Sequence, residues 1–327
     1  MFIRQLEYLV TLAKEKHFAR AADACHVSQP ALSTAIRTLE SELGVTIVNR
    51  GRRFVGFTED GERVLGWARQ TLATLQNMRQ DASAAQARLV GTLRVGAIPT
   101  VMPVTSRIFA ACMQQHPHIR YEVHSLSSDA IHRQLDDLEL DIGLTYLDSR
   151  VQAGFSVMPL YRERYILLSP PHTRAESAGS TRRWDTLGTL PLGLLPPTMQ
   201  NRQAVNAAFR RENVQPTVVV ETDSLLALYA HVLHAGLFSI FPHSLLSVLP
   251  AGNDVGHSLL EPELTREIGL VTRNREALPP LVSAMWRSAE RLDLQAEFDA
   301  LLPGAFEPAV ADVTSIRRRA RATGDAG

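Results

Sequence analysis

Cysteine is nearly absent: Cys25 and Cys112 are the only two in 327 residues. Two thiols in a chain this long make no disulfide framework, which excludes the small stapled secreted folds and points to a reducing compartment. Lysine is as scarce, with Lys14 and Lys16 alone, so arginine carries almost all positive charge. No apolar run is long and clean enough to span a bilayer. The most apolar stretch, Val232 to Leu249, is broken by His234, Gly236, Pro242 and His243. No basic-then-apolar leader precedes the first amphipathic segment, so a soluble cytoplasmic protein is expected, with no membrane partner. Catalytic signatures are missing too: there is no G-x-S-x-G elbow, H-E-x-x-H pair or phosphate loop. His116-Pro117-His118 has proline where helical spacing would be needed and no third ligand. No metal, no cofactor and no enzyme activity are expected.

Net charge is formally zero, with 34 basic and 34 acidic residues. That total hides local clusters. Arg50, Arg52 and Arg53 lie close together, as do Arg317, Arg318, Arg319 and Arg321. Clusters, not totals, decide nucleic-acid binding.

The most informative stretch is Phe18 to Arg53. Ala21, Ala22 and Ala24 are small enough for another helix to approach, and Val27 is an apolar plug in a turn. Ser28 is a good N-cap, and Pro30 follows in the first turn, where a missing N–H costs nothing. The next helix is predicted over Gln29 to Leu43, with Gly44 as its C-cap. Leu32, Ile36, Leu39 and Leu43 share one face. Gln29, Ser33, Thr34, Arg37 and Glu40 share the other. An ordinary αα-hairpin has such faces too, but the turn chemistry and the following segment favour a reader of the DNA major groove. Val45 to Val48 and Phe54-Val55 are short strands around Arg50-Gly51-Arg52-Arg53, a wing suited to phosphates or the minor groove. The candidate DNA-binding residues are Ser28, Gln29, Pro30, Ser33, Thr34, Arg37, Arg50, Arg52 and Arg53.

This stretch resembles the N-terminal domain of the LysR-type transcriptional regulators. The matching pieces are Leu6-Glu7-Tyr8-Leu9, Phe18-Ala19-Arg20-Ala21-Ala22, Val27 through Ser33, Ile36-Arg37-Thr38-Leu39-Glu40, Leu43-Gly44 and Thr58-Glu59-Asp60-Gly61. One departure is His17, where the family often has serine before the phenylalanine, so a weaker helix cap is expected there.

Thr58 caps a long helix reaching about Leu89, roughly 45 Å at the usual rise per residue. Ala68, Thr71, Leu75, Met78, Ala82, Ala85 and Leu89 form a seam along it, expected to pair with a second copy. Strands then alternate with helices, the pattern of parallel sheets with crossovers. The resemblance implies a periplasmic-binding-protein-like effector domain of two lobes. The expected class is therefore α+β multidomain. It has a winged helix-turn-helix at 1–58, a linker and dimerisation helix at 59–90 and a two-lobe effector-binding domain at 91–303. Lobe one takes about 91–161 and 267–303, and lobe two about 162–266. Residues 304–327 are expected to form a flexible tail.

Ligands of open α/β sheets bind beyond the carboxyl ends of strands, near helix N-termini. Thr100, Ser127, Ser128 and Thr145 from lobe one qualify. Gln200, Asn201 and Ser224 qualify from lobe two. Each also has a plain role as a helix cap; their convergence on one cleft would make an effector site, and free helix amides suggest a small anion such as a carboxylate. The resemblance supports Thr100 and Ser128 most and Gln200 and Asn201 less. Arg202 and His243 are charged neighbours whose direction the sequence leaves open. Asp136, Asp137, Glu139 and Asp141 read as a solvated helix end, and both cysteines as buried inert thiols. The expected function is a DNA-binding transcriptional regulator that senses a small molecule. Promoter DNA and RNA polymerase are its expected partners, and the resemblance implies a homotetramer built from homodimers. The alternative is a solute-binding protein or enzyme on the same two-lobe fold.

Overall fold

Alternating small, polar and apolar residues over the first sixty positions fold into three helices and a hairpin. α1 spans Ile3–Glu15, α2 Phe18–Ala24 and α3 Gln29–Leu43, and strands β1 (Val48–Arg50) and β2 (Phe54–Phe57) follow. The computed structural model describes residues 1–50, 54–84, 89–148, 154–173, 180–249, 255–275 and 277–302. Arg52, Arg53, Ala85, the side chain of Arg50 and the arginine-rich tail lie outside the described residues.

Leu9, Leu12, Ala21, Ala22, Leu32, Ile36, Leu39 and Ile47 close one core, with Phe18, Phe54 and Phe57 packed against it. His17 does cap α2: its Nδ1 accepts the Arg20 amide hydrogen at 3.4 Å, so the imidazole fills serine's place. Leu43 departs from the expected buried face and is 42% exposed, because α3 ends at Gly44 (φ 69°) before another element can cover it. Gly61 sits where any Cβ would lie 2.1 Å from the Ile47 carbonyl oxygen. That lets the next helix, α4 (Glu59–Ala84), start directly beneath β1. Thr58 caps it, accepting the Gly61 amide hydrogen at 2.9 Å.

The chain divides into two compact units: Met1–Glu163 with Pro197–Asn201 and Thr265–Asp293, and Arg164–Pro196 with Arg202–Leu264 and the C-terminal residues. In the first, β3 (Gly91–Ala97) pairs in parallel with β4 (Ile119–Ser125) and β5 (Ile142–Tyr146). β12 (Thr265–Arg273) joins antiparallel to β5. Helices α5 (Thr105–Gln115), α6 (Ser128–Asp136) and α9 (Pro280–Glu290) complete it.

α4 turns one side to this lobe. Arg69 pairs with Asp137 at 2.5 Å and Glu139 at 3.2 Å. Arg94 holds Asp141 through two nitrogens at 2.7 and 3.1 Å. The acidic run is therefore not simply solvated: three of its four carboxylates have arginine partners. Ala68 is buried rather than on a free seam, while the exposed stripe of α4 keeps Thr71 and Met78 of the expected seam and adds Trp67 and Thr74. The hydroxyls of Thr71 and Thr74 turn back to the carbonyls of Trp67 and Gln70, which leaves their methyls outward.

In the second unit, the long strand β6 (Phe155–Ser169), which enters this unit at Arg164, pairs antiparallel with β10 (Phe238–Pro242) and β11 (Gly256–Glu261). β8 (Leu192–Leu194) runs parallel to β10 and β9 (Val218–Glu221). A further short strand, β7 (Thr181–Arg183), pairs with β11. Trp184 meets Phe209 edge-on at 5.1 Å in its core. The helices are α7 (Gln200–Arg211), which enters this unit at Arg202, α8 (Leu225–Ala235) and α10 (Leu294–Asp299). α9 and α10 are separated by a break after Glu290, and they belong to different units. Among the described residues no helix is long and apolar enough to cross a membrane.

Candidate nucleic-acid interface and effector site

Two rules of the helix build the outer face of α3. Ser28 caps it, accepting the Ala31 amide hydrogen at 3.3 Å, and Pro30 fits its first turn. Periodicity then buries Leu32, Ile36 and Leu39 completely. Gln29, Pro30, Thr34 and Arg37 are exposed and Ser33 is half-buried at the margin of the same face. No described residue covers this polar face, which starts at the helix N-terminus, where side chains reach base edges in a helix-turn-helix. Glu40 was expected to join it and does not. Its carboxylate accepts the amide hydrogens of Ile47 and Val48 at 2.9 and 3.0 Å, tying α3 to the wing. Arg50, Arg52 and Arg53 have no described side chains, so the wing's share rests on the sequence.

The effector candidates of the first unit form a linked set. Gly143 on β5 faces α6 so closely that a Cβ there would lie 2.4 Å from Ile131 Cγ2. Thr145, two residues on, leaves the strand on the same side. Its hydroxyl donates to Ser128 Oγ at 2.7 Å, and Ser128 donates to Gln200 Oε1 at 2.8 Å. Asn201 is 5% exposed, and its Nδ2 donor has no hydrogen-bond partner. Thr100 stands apart. It meets the hydroxyl of Tyr146 at 3.4 Å, and Tyr146 leaves β5 opposite to Thr145. The cap of α6 is Ser127, not Ser128: Ser127 Oγ accepts the Ala130 amide hydrogen at 3.3 Å, which releases Ser128 for the linked set. Ser224, in the second unit, caps α8 by accepting from the Ala227 amide.

Sequence reading missed Tyr146 and Arg266. The guanidinium of Arg266 lies 3.7 Å over the ring of Tyr146, whose hydroxyl meets that of Thr100. Tyr146 follows Thr145 directly, a signal that was visible; Arg266 lies 120 positions further along and gave none.

The family described as "Bacterial regulatory helix-turn-helix protein, lysR family" matches residues 3–62. The "LysR substrate binding domain" matches residues 86–293. The chain belongs to the LysR family.

Among relatives of this LysR-family chain is the "DNA-binding transcriptional dual regulator OxyR" of Escherichia coli (strain K12). It is 40% identical over 168 residues, which is 51% of this chain and 55% of the relative. The chain spans about half the length of the first curated relatives it matches. A "Probable hydrogen peroxide-inducible genes activator" of Streptomyces viridosporus is 29% identical over 84% of this chain and 89% of its own length. Among solved structures, a full-length OxyR variant from Pseudomonas aeruginosa has a TM-score of 0.70 and 28% identity, covering 90% of this chain and 97% of that one. Full-length CbnR with its target DNA has a TM-score of 0.61 at 21% identity, a likeness of fold, over 89% of this chain and 99% of that one.

Two charged groups considered for the effector site of this LysR-family chain are engaged elsewhere. Arg202 donates to the Leu195 carbonyl at 2.6 Å and pairs with Glu221 at 2.9 Å. His243 is fully buried and accepts the Arg164 amide hydrogen through Nδ1 at 3.0 Å. Burial, aided by the nearby Arg164 charge, pushes its pKa down to about 4. His243 is a neutral packing group near neutral pH. The thiols are separate too: Cys112 is buried on α5, and Cys25 packs half-buried against the core of the DNA-binding module.

Proposed function

We propose that this chain is a DNA-binding transcriptional regulator that answers to a small anionic effector. The carrying observation is α3: a fully buried Leu32, Ile36 and Leu39 face backs an uncovered Gln29, Thr34 and Arg37 face at a helix N-terminus. In this reading Ser28, Gln29, Pro30, Ser33, Thr34 and Arg37 meet the major groove, and Arg50, Arg52 and Arg53 meet backbone phosphates. The free stripe of Trp67, Thr71, Thr74 and Met78 on α4 joins two copies, so two modules meet two half-sites. Two such dimers make the tetramer, acting at a promoter with RNA polymerase in the cytoplasm.

The effector site in this reading centres on Ser128, Thr145, Gln200 and Asn201. Ser127 presents the start of α6, Thr100 and Tyr146 flank the site, and Ser224, in the second unit, is a further candidate. The unpartnered Asn201 Nδ2 supports an acceptor-rich ligand such as a carboxylate. Peroxide, which the names of several relatives raise, fits this chain less well as its signal. Thiol sensing needs an accessible thiolate, and a disulfide response needs a second thiol within reach; Cys112 is buried, and the half-buried Cys25 packs against the separate core of the DNA-binding module.

A mobility shift of the full chain on its own upstream DNA tests the regulator reading. Binding no tighter than to a random duplex would end it. A thermal-shift panel of small organic acids on the full chain tests the effector, since a bound ligand raises the unfolding midpoint by mass action.

A further inference from the structure

A small cavity lies where α4 passes over the first lobe. Gln76, Asn77 and Gln80 of α4 line one side, and Arg94, Asp141, Arg273 and Arg275 line the other. Its volume of about 20 Å³ compares with the roughly 10–15 Å³ that a single water needs. It has room for one water or one monoatomic ion, and none for an organic acid.

Among the described residues the charges around it do not balance: three arginines and one aspartate line the cavity. The aspartate is taken: Asp141 receives Nε and Nη2 of Arg94 and the Arg94 amide hydrogen. Arg273 donates to a backbone carbonyl, that of Asp136, at 3.1 Å. Among the described residues no carboxylate pairs with Arg275. Burial first, and the Arg273 charge second, push the Arg275 guanidinium below its usual range, against the opposing pull of Asp141. On the α4 side Gln80 is 7% exposed, and its Oε1 has no hydrogen-bond partner. The two ends of a carboxamide fill nearly the same space, so a half-turn about the last bond presents the NH2 to the cavity as a donor.

Among the described residues, an excess of two positive charges, a buried carboxamide that can turn a donor inward and room for a single ion point to an anion. We propose that this cavity binds a small monovalent inorganic anion of halide size, held by Arg273, Arg275 and Gln80. The ion would bridge the helix that carries the DNA-binding module and the lobe beneath it. This site shares no residue with the proposed effector site and does not rest on it.

The test is thermal unfolding of the full chain in sodium bromide and in sodium gluconate at equal ionic strength, so that general screening is matched. The wild type should unfold several degrees higher in bromide. Arg275→Gln should unfold at the same temperature in both salts. Gln80→Glu places a carboxylate where the ion would sit. It should raise the midpoint in gluconate to near the wild-type bromide value and remove the bromide response. Equal wild-type midpoints in the two salts would overturn the proposal. So would an undiminished bromide response in either variant, or a Gln80→Glu protein that is less stable than wild type in gluconate. Should Arg275→Gln fail to fold, Gln80→Glu decides alone.

Discussion

Glu40 accepts the amide hydrogen of Ile47 at 2.9 Å, and the same oxygen accepts that of Val48 at 3.0 Å. A side chain on the last turns of α3 thus fixes the first strand of the wing. Hydrogen bonds to a charged acceptor contribute about 1.5–3 kcal/mol each. Glu40→Ala should lower stability by about 2–4 kcal/mol, less than the sum because the pair shares one oxygen. Glu40→Gln keeps an acceptor and should lose under half of that. Urea denaturation of the three proteins measures both. Because Glu40 faces the wing, Glu40→Gln should leave base preference unchanged, as a panel of single-base operator variants would show.

Ser127 and Ser128 are neighbours with different work. Ser127→Ala removes a helix cap and should cost about 1 kcal/mol. Ser128→Ala leaves the fully buried Thr145 hydroxyl without its acceptor, at a cost of about 1–3 kcal/mol. The decisive difference is in ligand response. Any organic acid that stabilises the wild type should stabilise Ser127→Ala alike and Ser128→Ala hardly at all. Equal responses would remove Ser128 from the effector site.

His243 predicts a pH dependence with a definite sign. Its folded-state pKa of about 4 lies below the ordinary value of 6.5. Between those values the unfolded chain holds a proton that the folded chain refuses. Stability is therefore fully present above about pH 6.5 and falls as pH drops toward 4, by up to about 3 kcal/mol from this group. Burial also lowers His132 and His257, so the slopes add. Denaturant midpoints from pH 7.5 down to about 4.5 should decline, and the decline should be shallower in His243→Gln. A flat profile would contradict the burial of a neutral His243.

The thiols should be dispensable. With Cys112 fully buried and the half-buried Cys25 packed against a separate core, Cys25→Ser with Cys112→Ala should bind operator DNA as the wild type does, before and after peroxide. A peroxide-dependent shift in the wild type that the double variant lacks would restore a thiol mechanism.

The sequence carried local physics well and long reach badly. Ser28, Pro30 and Gly44 bound α3 by cap chemistry that acts within a turn, so both ends of that helix were legible. Leu32, Ile36 and Leu39 were legible because a buried face repeats with the helical period. Glu40 was misplaced because periodicity tells which side a residue occupies, not that its carboxylate reaches a strand seven positions on. The acidic run looked solvated because Arg69, its partner, lies 68 residues before Asp137. Thr100 was grouped with Thr145 because both follow strands. That its partner Tyr146 leaves β5 opposite to Thr145 depends on register, which only the folded sheet defines.

The central claim is that the uncovered face of α3 grips duplex DNA. Fluorescence anisotropy of the full chain, titrated onto its own upstream duplex and onto a shuffled duplex of equal composition, tests it most directly. The wild type should prefer its own duplex by a factor of at least about 10³, as specific binding does over non-specific. Gln29→Ala should reduce that preference by about 1–3 kcal/mol, the scale of one lost base contact, while leaving binding to the shuffled duplex nearly unchanged. Equal affinity of the wild type for both duplexes, or a Gln29→Ala protein that discriminates as well as the wild type, would contradict the account.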